Sequence, residues 1–154
     1  SRVLIVNPQL VVAHGVHQWR GFDVLVRGGV TTQLQEDGLR GRRVCAVCAI
    51  GNPTPFLRGI QQAGAEVVGT MVLRDHARYG EEEVRNIVQM AQSGAEMIVT
   101  TEKDWSKLQQ VRAEVWPVDV VRPRLEMEID HADALTQAVM ARVRAAMKRK
   151  REGE

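Results

Sequence analysis

The sequence is short of aromatic residues, of cysteine, of long apolar runs and of any large excess of one charge. Aromatics make up 4% of its 154 residues, so a core has to be assembled from Val, Leu, Ile, Ala and Met. No apolar stretch approaches the roughly 18 residues that a membrane-spanning helix needs. Lys and Arg total 21 against 19 Asp and Glu, a net charge of +2, which is too balanced to point to a nucleic-acid partner. Cys45 and Cys48 form one C-x-x-C with no second pair to complete a four-ligand zinc set. They lie in the strand-like run 43–50, where residues three apart face opposite sides of a sheet. Both are therefore read as small core residues, and no metal site is expected. Also missing is a phosphate-gripping G-x-x-x-x-G-K-[ST]. The nearest glycine-rich stretch, Arg27-Gly28-Gly29-Val30-Thr31-Thr32, has neither the spacing nor the lysine.

What is present is an alternation. From residue 41 onward, strand-like runs at 43–50, 66–73 and 97–100 alternate with helix-like segments at 53–63, 80–93 and 102–113. Pro53 sits where a helix start needs no N–H, and Gly64 and Gly94 are helix stops. Residues 115–121 return to extended character with Pro123 closing them, and 131–150 form a last amphipathic helix. Alternation of this kind implies right-handed crossovers and an α/β fold: a small, mostly parallel sheet with flanking helices, Rossmann-like and three-layered. The first forty residues are less regular, with strand candidates at 3–6 and 23–27. The expected organisation is a connecting segment over 1–40, an α/β domain over 41–150 and a tail over 151–154. A chain opening on Ser1 and running straight into strand-like residues reads as an excised piece of a longer one, with removal of an initiator Met as the other explanation.

Three polar clusters close three of these strand-like runs: Gly51-Asn52-Pro53, Asp75-His76 and Thr101-Glu102-Lys103-Asp104. Parallel strands would bring them to one edge, where open α/β sheets place their ligands. Gly51 permits close backbone approach, and Asn52 can cap a helix or reach a ligand. Asp75 can orient His76, or either can handle a proton, although neighbours in sequence need not touch. Thr101 and Asp104 fit the [ST]-x-x-[DE] capping pattern, which leaves Glu102 and Lys103 unexplained. Near the end, Arg142, Arg144, Lys148, Arg149, Lys150 and Arg151 suit a helix C-terminus. They read as a solvated tail, with contact to an anionic membrane as the alternative.

In order, Ala49-Ile50-Gly51-Asn52-Pro53 with Phe56, Asp75-His76 with Tyr79, and Thr100-Thr101-Glu102-Lys103-Asp104 with Lys107-Leu108 resemble the C-terminal half of tetraacyldisaccharide 4'-kinases, most strongly over residues 38–122. The family usually has Gly at Ala49, a second His at Ala77, Pro at Arg74 and a small residue at Trp105. The resemblance implies transfer of the ATP γ-phosphate to the 4'-hydroxyl of a lipid A disaccharide precursor, at the cytoplasmic face of a Gram-negative inner membrane. His76 would assist a carboxylate in activating the sugar hydroxyl, with Asp75 orienting or flanking it. Gly51, Asn52, Thr101, Glu102, Lys103 and Asp104 would shape the cleft facing the nucleotide. ATP and Mg²⁺ would be held mainly by an N-terminal phosphate-loop half, the implied partner. A non-catalytic module that binds a nucleotide, a sugar phosphate or a partner on the same fold is the alternative. An independent hydrolase built on Asp75-His76 is weaker, because no nucleophile or metal set accompanies the pair.

Overall fold

The structure, a computed structural model, describes residues 12–26, 29–75 and 77–152. The strands are β1 (Gly15–Leu25), β2 (Thr31–Leu34), β3 (Arg43–Cys48), β4 (Glu66–Val72), β5 (Met97–Thr100) and β6 (Asp119–Ile129). The helices are α1 (Thr54–Gln62), α2 (Glu81–Gln92), α3 (Glu102–Leu108) and α4 (Ala132–Glu152), with a 3₁₀ turn at Ala113–Val115. The strands form one mixed sheet in the order β2-β1-β6-β5-β3-β4. β4, β3, β5 and β6 pair in parallel, and β1 and β2 form an antiparallel pair at one edge.

The chain divides into two compact units. In the larger, Trp19–Glu126, strand alternation builds a core on each face of the sheet. Val44, Ala46 and Cys48 of β3, with Met97, Val99 and Val121, pack under Phe56 and Ile60 of α1. Cys45 and Val47, with Ile98 and Val120, pack under Ile87 and Ala91 of α2 and Trp105 and Leu108 of α3. The two cysteines thus enter different cores, as the period of two requires. A bulge in β4 keeps its own pattern in step. Val67 pairs with Val44, but Gly69 pairs with Cys45, so Val68 is the extra residue and the strand changes faces there. Gly69 is needed for helix packing, since a Cβ would lie 2.7 Å from Met90 Cγ.

Half of the few aromatic rings lie together. Trp19 meets Phe22 edge-on at 5.8 Å and Phe56 at 6.2 Å, joining β1 to α1. Gly59 makes the room, because a Cβ there would come within 2.5 Å of the Trp19 ring. The smaller unit takes the two ends of the chain, Ser1–Gln18 and Met127–Glu154. In it Asp130 N–H donates to His14 O at 2.9 Å, and α4 leaves Val139, Met140, Val143 and Met147 exposed.

Most element boundaries fall within two residues of those read from the sequence. The strand expected at 3–6 lies outside the described residues, as does part of the one expected at 23–27. β1 begins earlier than that candidate, at Gly15. The helix expected over 102–113 stops at Leu108, where the Gln110 and Val111 N–H groups turn to the three-residue-back carbonyls of Lys107 and Leu108. Pro123 does not close the last strand. Register with β5 ends at Val121, so a residue lacking an N–H is tolerated two positions further on.

Candidate functional site

β3, β4 and β5 are parallel, so the chain leaves all three at the same edge, and the three polar clusters follow directly. Gly51 and Asn52 come after β3, Asp75 after β4, and Thr101 opens α3 after β5. His76 lies outside the described residues. Lys103 Nζ donates to Asp75 Oδ1 at 3.0 Å, joining the second and third clusters. The pair is 43% and 45% exposed, so its value is alignment more than stability. Gly51 stands beside the same carboxylate: a Cβ there would lie 3.5 Å from Asp75 Oδ2. Asn52 Oδ1 accepts the Thr54 N–H at 3.3 Å at the entrance to α1.

Beneath this exposed layer is a buried one. Asp104 is fully buried, and its Oδ2 accepts the Thr101 hydroxyl at 2.7 Å and the Ala49 N–H at 2.9 Å. Thr101 caps α3 as its sequence suggests, taking the Asp104 N–H at 3.2 Å. The capping pattern, however, does not foretell the bond to Ala49, which ties α3 to the end of β3. Lys107 Nζ sits 3.4 Å from Asp104 Oδ1 and donates to the Ala77 carbonyl at 2.9 Å. Its ammonium also lies 5.7 Å from the centre of the Tyr79 ring. Glu102 turns elsewhere, to Arg122 of β6, which also holds Asp23 of β1 at 2.8 Å and covers the Trp105 ring. Lys107 and Tyr79, which the motifs include without a role, and Arg122, which they omit, are thus parts of the edge. The i+4 spacing of Lys103 and Lys107 was the available signal for Lys107. None existed for Arg122, whose partner Asp23 is 99 residues away.

Burial, and after it the Asp104 charge, shifts two neighbours. The Cys48 thiol is pushed up from an ordinary 9.0 to about 11, and the Tyr79 phenol is raised for the same causes. The Tyr79 hydroxyl is buried with no hydrogen-bond partner among the described residues. At the opposite edge Glu96 is held below its ordinary value, first by the Arg43 N–H and then by the Arg42 guanidinium. A thiol with a raised folded pKa stabilises the fold fully below its unfolded value and loses that contribution as pH climbs toward the folded one. The urea midpoint should therefore fall between pH 9 and 11, and the Cys48→Ala, Tyr79→Phe pair should flatten the slope. A midpoint that stays level over that window would refute the assignment.

Among the described residues no group of three or more His, Cys, Asp or Glu could hold a metal ion. No helix of the described residues is long and apolar enough to cross a membrane.

The architecture is that of an α/β protein with its polar groups gathered where parallel strands end. A family model for tetraacyldisaccharide-1-P 4'-kinase matches residues 8–144, and the chain belongs to that family. The tetraacyldisaccharide 4'-kinase of Halothermothrix orenii is 41% identical over 69 residues, covering 44% of this chain and 18% of the relative. That of Syntrophus aciditrophicus is 39% identical over 98 residues, covering 63% and 25%. That of Afipia carboxidovorans is 30% identical over 136 residues, covering 88% and 40%. A crystal structure of LpxK from Aquifex aeolicus in complex with ATP superposes with a TM-score of 0.51 at 18% identity, covering 90% of this chain and 40% of that one. This last likeness concerns the fold. The chain spans between 18% and 40% of the length of these relatives.

Proposed function

We propose that this chain forms one wall of a cleft in which the ATP γ-phosphate passes to the 4'-hydroxyl of tetraacyldisaccharide 1-phosphate. The supporting observation is the convergence of three polar clusters on one sheet edge, with Lys103 bonded across it to Asp75. In this reading His76 assists a carboxylate of the phosphate-loop half in taking the proton of the sugar hydroxyl, and Asp75 flanks it. Gly51, Asn52, Thr101 and Lys103 form the surface turned toward the nucleotide. Glu102, engaged by Arg122, and the buried Asp104 shape that surface from behind.

In the same reading ATP and Mg²⁺ are held mainly by the phosphate-loop half. The magnesium ion would supply charge neutralisation at the phosphates, and no step performed by this chain passes through it. Residues 1–40 would then connect to that half, 41–150 would form the wall, and 151–154 would be a tail. Localisation at the cytoplasmic face of an inner membrane is part of the same reading. α4 supports it with Val139, Val143 and Met147 exposed at four-residue intervals among Arg142, Arg144, Lys148 and Arg149.

The test is His76→Ala in this chain joined to its phosphate-loop half. The kcat should fall on the order of 10²-fold, the contribution of one positioned proton acceptor, while the KM for ATP stays near its original value. Unchanged turnover would remove His76 from the reaction.

A further inference from the structure

We infer that Lys103 and Lys107 act as a two-point clamp on the loop that carries His76, and that Lys107 is a positioning residue for the phosphotransfer. The inference rests on the reading of His76 given above. It starts from spacing. Residues four apart on a helix share one face, so the two lysine side chains of α3 leave it in the same direction, one turn apart. Lys103 Nζ takes Asp75, the residue before His76, at 3.0 Å. Lys107 Nζ takes the carbonyl of Ala77, the residue after it, at 2.9 Å. The same ammonium lies 5.7 Å from the centre of the Tyr79 ring, fixing the chain two residues further on. Asp75 and Ala77, the residues on either side of position 76, are therefore both held by one helix.

A clamp positions something only if it is itself held. α3 is anchored at Asp104, between the two lysines in sequence. The Asp104 carboxylate reaches the Ala49 N–H at the end of β3 and stands 3.4 Å from Lys107 Nζ. The path from sheet to loop therefore runs β3, Asp104, Lys107, Ala77. Lys107 is 29% exposed, less than Lys103 at 43%, and its bond is to a backbone carbonyl. Such a bond constrains the main chain of the loop, whereas an exposed ion pair constrains only a side chain. Lysine suits the place because an ammonium has three donors that can serve a carbonyl, a carboxylate and a ring face together.

Hydrogen–deuterium exchange on the 154-residue chain tests the clamp directly. Lys107→Met should speed exchange of the amides at 75–79 about tenfold, the loss of one charge-assisted bond, while β3 and β5 exchange as before. Lys107→Arg should restore slow exchange. Should the methionine variant not fold, Lys107→Gln keeps one donor for Ala77 and should give an intermediate rate. Unchanged loop exchange in a folded variant lacking the ammonium overturns the clamp. In the chain joined to its phosphate-loop half, Lys107→Met should lower kcat about tenfold with KM for ATP unmoved, and Lys107→Arg should recover most of it. Faster exchange with full kcat, where His76→Ala is impaired, overturns the positioning role. Full kcat in His76→Ala itself instead refutes the reading of His76, and the exchange result still decides the clamp.

Discussion

Replacing Asp104 by Ala should destabilise the fold by about 3 kcal/mol, the largest loss expected from any single side chain at the polar edge. The carboxylate is fully buried and accepts the Ala49 N–H and the Thr101 hydroxyl while facing the Lys107 ammonium. Its removal leaves the Ala49 N–H without its acceptor at the end of a buried strand, and each orphaned buried group costs about 1–3 kcal/mol. Relief from holding a charge out of water offsets part of this, which keeps the estimate at the lower end of values for broken buried pairs, about 3–5 kcal/mol. Asp104→Asn keeps an oxygen for the same donors and loses only the charge, so its deficit should be roughly half as large. Urea unfolding reads the alanine deficit as a shift of about 1–2 M in midpoint at constant slope, and the asparagine deficit as about half of that. The asparagine variant should also bring the Cys48 thiol down toward its ordinary value, because Asp104 is the second cause of its elevation. An alanine variant as stable as the parent would mean that Asp104 does not hold α3 to β3.

The reasons Asp104 escaped full recognition show what a sequence of this kind reveals. β3 and β5 were legible as short continuous apolar runs because they are buried almost throughout, β4 alternates between exposed and half-buried residues, and Gly64 and Gly94 marked where helices stop. Both glycines have positive φ, 79° and 123°, where other residues are strained. Parallel pairing followed from the alternation, and with it the shared edge of Gly51, Asp75 and Thr101. Local chemistry also gave Thr101 as a cap. The remainder depends on contacts between residues far apart in the chain, which no local pattern encodes. Ala49 with Asp104 spans 55 residues, Ala77 with Lys107 spans 30, and Asp23 with Arg122 spans 99. Pro123 misled for a related reason: its tolerance depends on where β5 ends, a fact of another strand. α3 was overextended because Trp105, Leu108 and Val111 keep helical spacing, and all three do reach the same core although the helix has ended before Val111.

Incubated with ATP, Mg²⁺ and the tetraacyldisaccharide acceptor, the 154-residue chain should yield no product above background, and the same chain joined to its phosphate-loop half should turn over. The expected gap is on the order of 10⁵-fold or more, since phosphoryl transfer offers a protein little to do beyond positioning and charge stabilisation. The sequence holds no G-x-x-x-x-G-K-[ST], hence no backbone cradle, no phosphate-binding lysine of that motif and no hydroxyl for the metal. What it offers is Lys103 and Asp75 at an exposed edge and the loop bracketed by α3. In the proposed reading these groups orient an acceptor, and the γ-phosphate is brought in line with it by the phosphate-loop half. Turnover by the isolated chain within tenfold of the joined enzyme would refute the one-wall reading. A joined chain that stays inactive, with its phosphate-loop half competent in ATP binding, would favour the non-catalytic module, in which the same edge binds without reacting. Activity in the joined chain but not in a mixture of the halves would say that the cleft forms only when its walls are covalently held. That outcome preserves the assignment, because effective concentration rather than chemistry would then separate the two preparations.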